Sequence, residues 1–340
     1  MSRILVSGGK GFIGSWVVRE LLQHGHIPIV IDKRSDGTWF KNVTTYTDEA
    51  GGHAVRKLLL HENIEAIIHL SAWSTVRDAM HKPLQLFHQN VHNTSGILQA
   101  IEDVEPQYRP KKIIFASSSA VHDPRVSYYG ISKFTCEEML RVFESITGIQ
   151  THSLRFGNVY GANQSPKNGV LVAKLTEYAY DTWRIANNII QDEFPQIQIF
   201  GDGHNKRDYV HVIDIARAIV TTVKHDLPQV FNVSTGLTTT TKQIVDMGME
   251  ACYQIFGVRM LDPTHTPPDP NDKDSVFLPV ESMLSTLDCN PMHPVITIDA
   301  IGNCMRWREK SDSQVFDKAH DLCGKLVEPN ILTTSKMEWI

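Results

Sequence analysis

The chain has 340 residues, 41% of them hydrophobic, which is enough for a full α/β domain plus a smaller lobe. Its net charge of −5 is spread without a long basic run and gives no pull toward nucleic acid. No apolar run approaches a membrane span, residues 1–6 lack a signal-peptide core, and Cys136, Cys252, Cys289, Cys304 and Cys323 are never spaced Cys-x-x-Cys. These features predict reduced thiols, no metal site, no nucleic-acid or membrane partner, and a cytoplasmic protein.

In chain order, 3–7 reads as a strand, 12–24 as a helix, 27–31 as a strand, 54–63 as a helix and 66–70 as a strand. Then 83–102 reads as a helix, 112–117 as a strand, 131–147 as a helix and 151–155 as a strand. The strands are apolar almost throughout, as a sheet covered on both faces requires. The alternation predicts an α/β fold with a doubly wound parallel sheet (Rossmann) and a smaller α+β lobe. A polar loop is expected over 161–169, and the Pro- and Asp-rich stretch 262–274 is predicted to be neither helix nor strand. The expected division is 1–165 as the nucleotide-binding domain with 206–234 returning to it, 166–205 and 235–320 as the smaller lobe, and 321–340 as a tail.

Gly8, Gly11 and Gly14 follow the first strand and open the first helix, with Phe12 and Ile13 among them. Glycines there let backbone approach a pyrophosphate, and the helix N-terminus presents free N–H groups to it. The spacing is G-x-x-G-x-x-G, the short-chain reductase form. Asp32 ends the second strand, where a carboxylate accepts ribose hydroxyls and repels a 2′-phosphate, favouring NAD over NADP. Lys33 and Arg34 follow at once and blunt that repulsion. Asp48 lies at another turn, open either to an adenine contact or to solvent. Leu70, Ser71 and Ala72 supply small residues at a strand end where a dinucleotide passes.

Tyr129 and Lys133 stand four apart at a helix start and share a face. A phenol titrates near pH 10, and a neighbouring ammonium together with an oxidised nicotinamide is expected to lower it by about three units. Tyr108 and Lys112 repeat the spacing, but Pro110 between them precludes a helix. Ser118 follows the strand 112–117, where a hydroxyl can hydrogen-bond a substrate oxygen as its proton leaves.

Together these segments resemble the NAD-dependent epimerase/dehydratase family, its nucleotide-sugar epimerases above all, from about Arg3 to Thr235. The resemblance implies that Ser118, Tyr129 and Lys133 are catalytic and that Asn90 joins the cofactor site. It implies that Asn158 contacts a substrate diphosphate, that Phe200 packs near the base, that Arg207 clamps the diphosphate, and that Ser74, Ser119 and Asp272 line the substrate site. An ion pair of Arg207 with Asp208 or Asp214 is the structural alternative. It further implies a nucleotide-sugar substrate, a transient 4-keto intermediate, and a homodimer packed through helices 83–102 and 131–147.

Several positions depart from the family. Only ten residues separate Ser118 from Tyr129, a shorter loop than the epimerases carry. Asp269 stands where the family has a phosphate-binding Arg, with Lys273 as a substitute cation, and Val276 falls near a position that gates the sugar's 2-substituent. Ser119 and Ala120 replace the acid pair that dehydratases use to expel water, so epimerisation or simple oxidoreduction stands ahead of dehydration. A non-catalytic NAD-binding module is the reading from another class; the intact Ser118, Tyr129 and Lys133 speak against it. His88 and His92 are read as helix-surface histidines.

Overall fold

The structure is a computed structural model describing residues 1–35, 40, 42–49, 51–74, 82–124, 127–166, 170–268, 275–276 and 298–312, the last segment with side chains through 305. In chain order the elements are β1 (Arg3–Ser7), α1 (Phe12–Gln23), β2 (Ile27–Asp32), β3 (Thr44–Thr47), α2 (His53–Glu62), β4 (Ala66–His69), α3 (Pro83–Glu102), β5 (Lys112–Ser118), α4 (Tyr128–Thr147) and β6 (Gln150–Phe156). There follow β7 (Asn158–Tyr160), α5 (Leu171–Ala186), β8 (Gln198–Phe200), β9 (Lys206–His211), α6 (Val212–Lys224), β10 (Val230–Val233), β11 (Thr238–Thr240), α7 (Thr241–Phe256), β12 (Thr264–Thr266), β13 (Ser275–Val276) and α8 (Ile298–Asp312).

Seven strands form one sheet in the order β10-β6-β5-β4-β1-β2-β3, every neighbouring pair parallel. Successive side chains leave a strand on opposite faces. Ile4 and Val6 therefore join a core with Val17, Leu21, Ile215 and Ile219 of α1 and α6. Leu5 enters the opposite core with Leu58, Ile97 and Leu140 of α2, α3 and α4. Such double burial explains why the strands carry few polar residues.

The chain runs outward from β1 to β3, then restarts at β4 on the other side of β1. That switch opens a crevice beyond the carboxyl ends of β1 and β4, where ligands of open α/β sheets bind. β3 was not expected: Thr44-Thr45-Tyr46-Thr47 has no apolar alternation and is largely exposed. It forms because β2 offers an unpaired edge, with Ile29 opposite Thr44 and Asp32 opposite Thr47.

A second sheet places β9 between β11 and β13, with β7 also paired to β9. β12 falls inside the stretch expected to be neither helix nor strand. It pairs in parallel with β8, the Thr264 N–H donating to Ile197 O at 2.9 Å and the Gly201 N–H to Thr266 O at 2.9 Å. Pairing to a partner remote in sequence overrides the breakers on either side. A third core of Tyr160, Leu175, Ala179, Ile244, Ala251, Ile301 and Met305 lies among α5, α7 and α8. No described helix is long and apolar enough to cross a membrane.

Candidate active site

Gly8 takes φ +76°, and a Cβ there would lie 2.9 Å from Ser71 N, so the ends of β1 and β4 meet over a glycine. A Cβ on Gly14 would overlap Gly8 O at 2.2 Å, and one on Gly11 would press it at 3.1 Å. The Gly11 N–H closes the turn on Gly8 O at 3.0 Å. Gly11 is the N-cap of α1 and offers no side-chain cap, which leaves the first amides of α1 for an anion. Leu70 donates its N–H to Ser7 O at 3.0 Å, bringing 70–72 to the crevice wall. A cradle that any Cβ would fill, facing uncapped amides, fits a dinucleotide pyrophosphate.

Asp32 is buried at the end of β2. Its Oδ2 accepts from the Lys10 backbone N–H at 3.0 Å and its Oδ1 from that of Arg34 at 3.0 Å. The Lys10 ammonium donates to Arg34 O at 2.7 Å, and the Arg34 guanidinium donates back to Lys10 O. Asp32 therefore also ties the glycine turn to the end of β2, and Lys10, passed over in the sequence as a spacer, is part of that tie. Asp48 is exposed and its Oδ1 accepts from the Glu49 N–H at 2.8 Å, while its own N–H donates to Asp32 O at 3.1 Å.

Asn90 is buried, and its amide is committed within the protein. Its Oδ1 accepts from the Trp73 N–H at 2.7 Å; its Nδ2 donates to Trp73 O at 3.1 Å and Ser132 Oγ at 3.1 Å. Both amide hydrogens being used, Asn90 acts here as a clasp on the loop that follows β4 rather than as a donor to the crevice. Ser132 donates to Tyr129 O at 2.8 Å, so the clasp reaches the start of α4.

Ser127 caps α4 by accepting from the Gly130 N–H at 3.0 Å, which starts the helix before residue 131 and puts Tyr129 in its first turn. Ser118 ends β5 and accepts from the Ala120 N–H at 3.2 Å; Ser119 begins the short 3₁₀ turn Ser119–His122. The Tyr129 phenol lies beside the Ser118 hydroxyl, whose proximity favours the ionised phenol. Lys133 is buried beneath the phenol, donating to Ala116 O at 2.7 Å, 4.7 Å from the Phe115 ring centre and 5.9 Å from that of Tyr129. Burial lowers the Lys133 pKa to about 8, with Cys136 and Glu137 opposing the fall.

The expected lowering of the phenol requires the ammonium and the nicotinamide together, and here the ammonium acts alone. Burial raises the Tyr129 pKa above its ordinary value, and the neighbouring Ser118 hydroxyl only partly opposes this. Lys133, held on Ala116 O, does not by itself make the phenol acidic.

The sequence also missed His69. Its Nδ1 lies 2.7 Å from Ser7 Oγ and its Nε2 3.1 Å from Thr94 Oγ1. Burial, then the nearby Lys133, lowers its pKa to about 3, so the ring is neutral. Thr94 donates to Asn90 O at 3.1 Å, so its oxygen receives Nε2–H, and Nδ1 accepts from Ser7. The signal was a polar residue ending an otherwise apolar strand.

Asn158 in β7 lies opposite Tyr209 of β9, and Arg207 is two residues before Tyr209, so adjacent strands carry both. Val276 of β13 pairs with Arg207 by its backbone. Asp208 does not serve as the ion-pair alternative: it accepts from Thr235 N–H at 3.0 Å, Thr235 Oγ at 2.8 Å and Gly236 N–H at 2.7 Å. Phe200 ends β8 half exposed, and Ser74 is exposed beyond the Trp73 loop. Asp269, Asp272 and Lys273 lie outside the described residues.

A doubly wound sheet with a glycine cradle at its switch point, and a Ser, Tyr and Lys gathered beside it, defines a nucleotide-dependent oxidoreductase-type fold of the short-chain class. The model of the NAD dependent epimerase/dehydratase family matches residues 4–234, and the chain belongs to that family; its cofactor is NAD. The chain is similar to UDP-glucose 4-epimerase of Lactobacillus helveticus, 28% identical over 93% of this chain and 100% of that one. It is also similar to the crystal structure of UDP-glucose 4-epimerase with UDP-glucose from Thermotoga maritima (TM-score 0.78, 28% identity, 92% and 100% covered). The Thermus thermophilus UDP-glucose 4-epimerase complex with NAD superposes with a TM-score of 0.74 at 26% identity over 90% of this chain and 99% of that one.

Proposed function

We propose that the chain is a nucleotide-sugar 4-epimerase acting on a UDP-sugar, with Ser118, Tyr129 and Lys133 as its catalytic residues. The observation that carries this reading is the meeting of the Tyr129 phenol and the Ser118 hydroxyl over a buried Lys133, beside the glycine cradle. Gly8, Gly11, Gly14 and the first amides of α1 would hold the pyrophosphate, Asp32 the adenosine ribose and Lys133 the nicotinamide ribose. NAD held there would supply the hydride acceptor and donor for sugar C4 and would place positive charge beside the phenol.

Tyr129 Oη takes the proton from the sugar 4-hydroxyl and later gives it back. Ser118 hydrogen-bonds the same oxygen, and Ser119 and Ser74 border the sugar. Asn158 and Arg207 bind the diphosphate from adjacent strands, a bidentate task that suits guanidinium, and Phe200 packs against the base. Residues 1–165 with 206–234 form the cofactor domain, and 166–205 with 235–320 the substrate lobe. Leu84 of α3 and Phe134, Val142 and Ile146 of α4 are exposed apolar residues on the two long helices, which supports a homodimer joined there. The protein is assigned to the cytoplasm.

The test is a panel of UDP-, GDP- and dTDP-sugars, with products read by mass and proton NMR. Tyr129→Phe is expected to abolish turnover while NAD remains bound. Near-normal turnover of that variant overturns the assignment.

A further inference from the structure

One turn beyond Lys133 on α4, Glu137 is buried and takes no part in the proposed chemistry. Two strands converge on its carboxylate. Ser117 of β5 donates its hydroxyl to Oε1 at 2.5 Å. Arg155 of β6 binds both oxygens, Nε to Oε1 at 3.0 Å and an Nη to Oε2 at 2.6 Å. Such a fork is the strong, directional form of an ion pair. Ser117 is flanked by Ala116, whose carbonyl takes the Lys133 ammonium, and by Ser118, whose hydroxyl meets the phenol. The carboxylate thus fixes the rotation of α4 at the point where that helix presents Lys133 and Tyr129 to the end of β5.

We infer that Glu137 is a positioning residue for the reaction: clamped by Ser117 and Arg155, its carboxylate holds the Lys133 ammonium charged and in register with Ser118. The inference rests on the catalytic roles proposed above for Ser118, Tyr129 and Lys133. The surroundings of Lys133 make the charge argument specific. On α4 itself it faces Tyr129, Cys136 and Glu137; β4 contributes His69, held neutral, and β5 contributes the Phe115 ring and the Ala116 carbonyl. Burial raises the Cys136 thiol, which therefore stays protonated. α3 contributes Asn90 and Thr94, which carry no charge, and β6 contributes Arg155 on the far side of Glu137. Glu137 is thus the formal anion of this set. Its pair with Arg155 is neutral as a unit, so removing either partner exposes Lys133 to the field of the other.

Two substitutions therefore act with opposite sign. Glu137→Gln leaves the Arg155 cation facing Lys133, and the ammonium is expected to lose its proton about one pH unit earlier. Arg155→Gln leaves the carboxylate, and the titration is expected to move upward. The direct readout is the Lys133 titration by NMR on lysine-labelled, NAD-loaded protein without sugar. The second readout is the alkaline limb of kcat, which moves with it. Glu137→Asp keeps the charge and is expected to keep the limb.

A purely structural clamp would lower Tm in both variants and move neither titration; that result overturns the inference. Should neither variant accumulate folded, Ser117→Ala decides, since it keeps every charge and removes one hydrogen bond. Its kcat is expected to fall severalfold with KM unchanged, and an unchanged kcat overturns the inference. Because the NMR titration needs no sugar, it stands even if the sugar panel yields no epimerised product, and an active epimerase with unmoved titrations sinks the inference alone.

Discussion

Gly14→Ala tests whether the cradle at the end of β1 is built to close tolerance. The new methyl carbon would sit 2.2 Å from Gly8 O and 2.8 Å from Gly9 Cα. Ordinary van der Waals contact begins at 3.4 Å, so the backbone of the turn must retreat by more than an ångström. The obstruction is main chain at both contacts, and no side-chain rotation relieves it. Moving the turn breaks the Gly11 N–H to Gly8 O bond and swings the first amides of α1 out of line. Overpacking of this kind costs about 1–3 kcal/mol, and each 1.4 kcal/mol corresponds to about tenfold in affinity. NAD affinity is therefore expected to fall by roughly 10–100-fold. Calorimetric titration of stripped protein with NAD measures this directly. Gly25→Ala is the control: it has nothing within 4 Å of the added carbon but takes φ +71°. Its strain of about 1–2 kcal/mol appears in stability alone, with NAD binding unchanged. A Gly14→Ala protein that binds NAD as wild type does, with an unchanged melt, refutes the close-tolerance cradle.

Two further predictions concern pH. His26 is buried with neither ring nitrogen bonded, and burial first, then Lys224, depresses its pKa. The folded chain requires the neutral ring, so its stability is full above the unfolded value near 6.5 and is lost as pH falls. His26→Leu is expected to raise stability by about 1–2 kcal/mol at pH 7 and to flatten that loss, read from urea midpoints at pH 7.5 and 5.5; a lower midpoint at both values refutes it. His69 is depressed to about 3, so its contribution is complete above pH 6.5 and falls away between 6.5 and 3. The full window is worth up to about 5 kcal/mol, and near-UV circular dichroism should lose the native signal cooperatively within it. A chain equally stable at pH 7 and pH 4 shows that His69 charges without penalty.

The central sheet was legible because its strands are buried on both faces and so consist of continuous Ile and Val. The helix 83–102 was readable at both ends because Pro83 opens it and its apolar face is long. β3 and β12 were not readable: each exists through pairing to a distant partner, and their threonines carry no pattern that a window of sequence can hold. Ser118, Tyr129 and Lys133 stood out by spacing and by placement at a strand end and a helix start. Glu137, Arg155 and His69 did not, because each is defined by what it touches across elements. Asn90 shows the converse limit. Its place in the chain was visible, but that its amide grips Trp73 and Ser132 depends on contacts spanning 17 and 42 residues.

Behind the phenol the chain fixes the charge of each neighbour in advance. Burial and Lys133 keep His69 neutral, the Arg155 fork keeps Glu137 bound as an ion pair, and Lys133 carries its proton up to about pH 8. Burial meanwhile holds the phenol itself protonated, since its pKa stands above the ordinary value. The group whose state changes in the proposed turnover is therefore one that burial disposes against ionising without help. On the reading proposed above, positive charge arriving above Tyr129 meets a phenol already beside Ser118, with the Lys133 ammonium below it tethered to Ala116 O. In the proposed reaction, proton transfer to Tyr129 therefore belongs to the state in which oxidised cofactor is bound, because burial alone disfavours the phenolate.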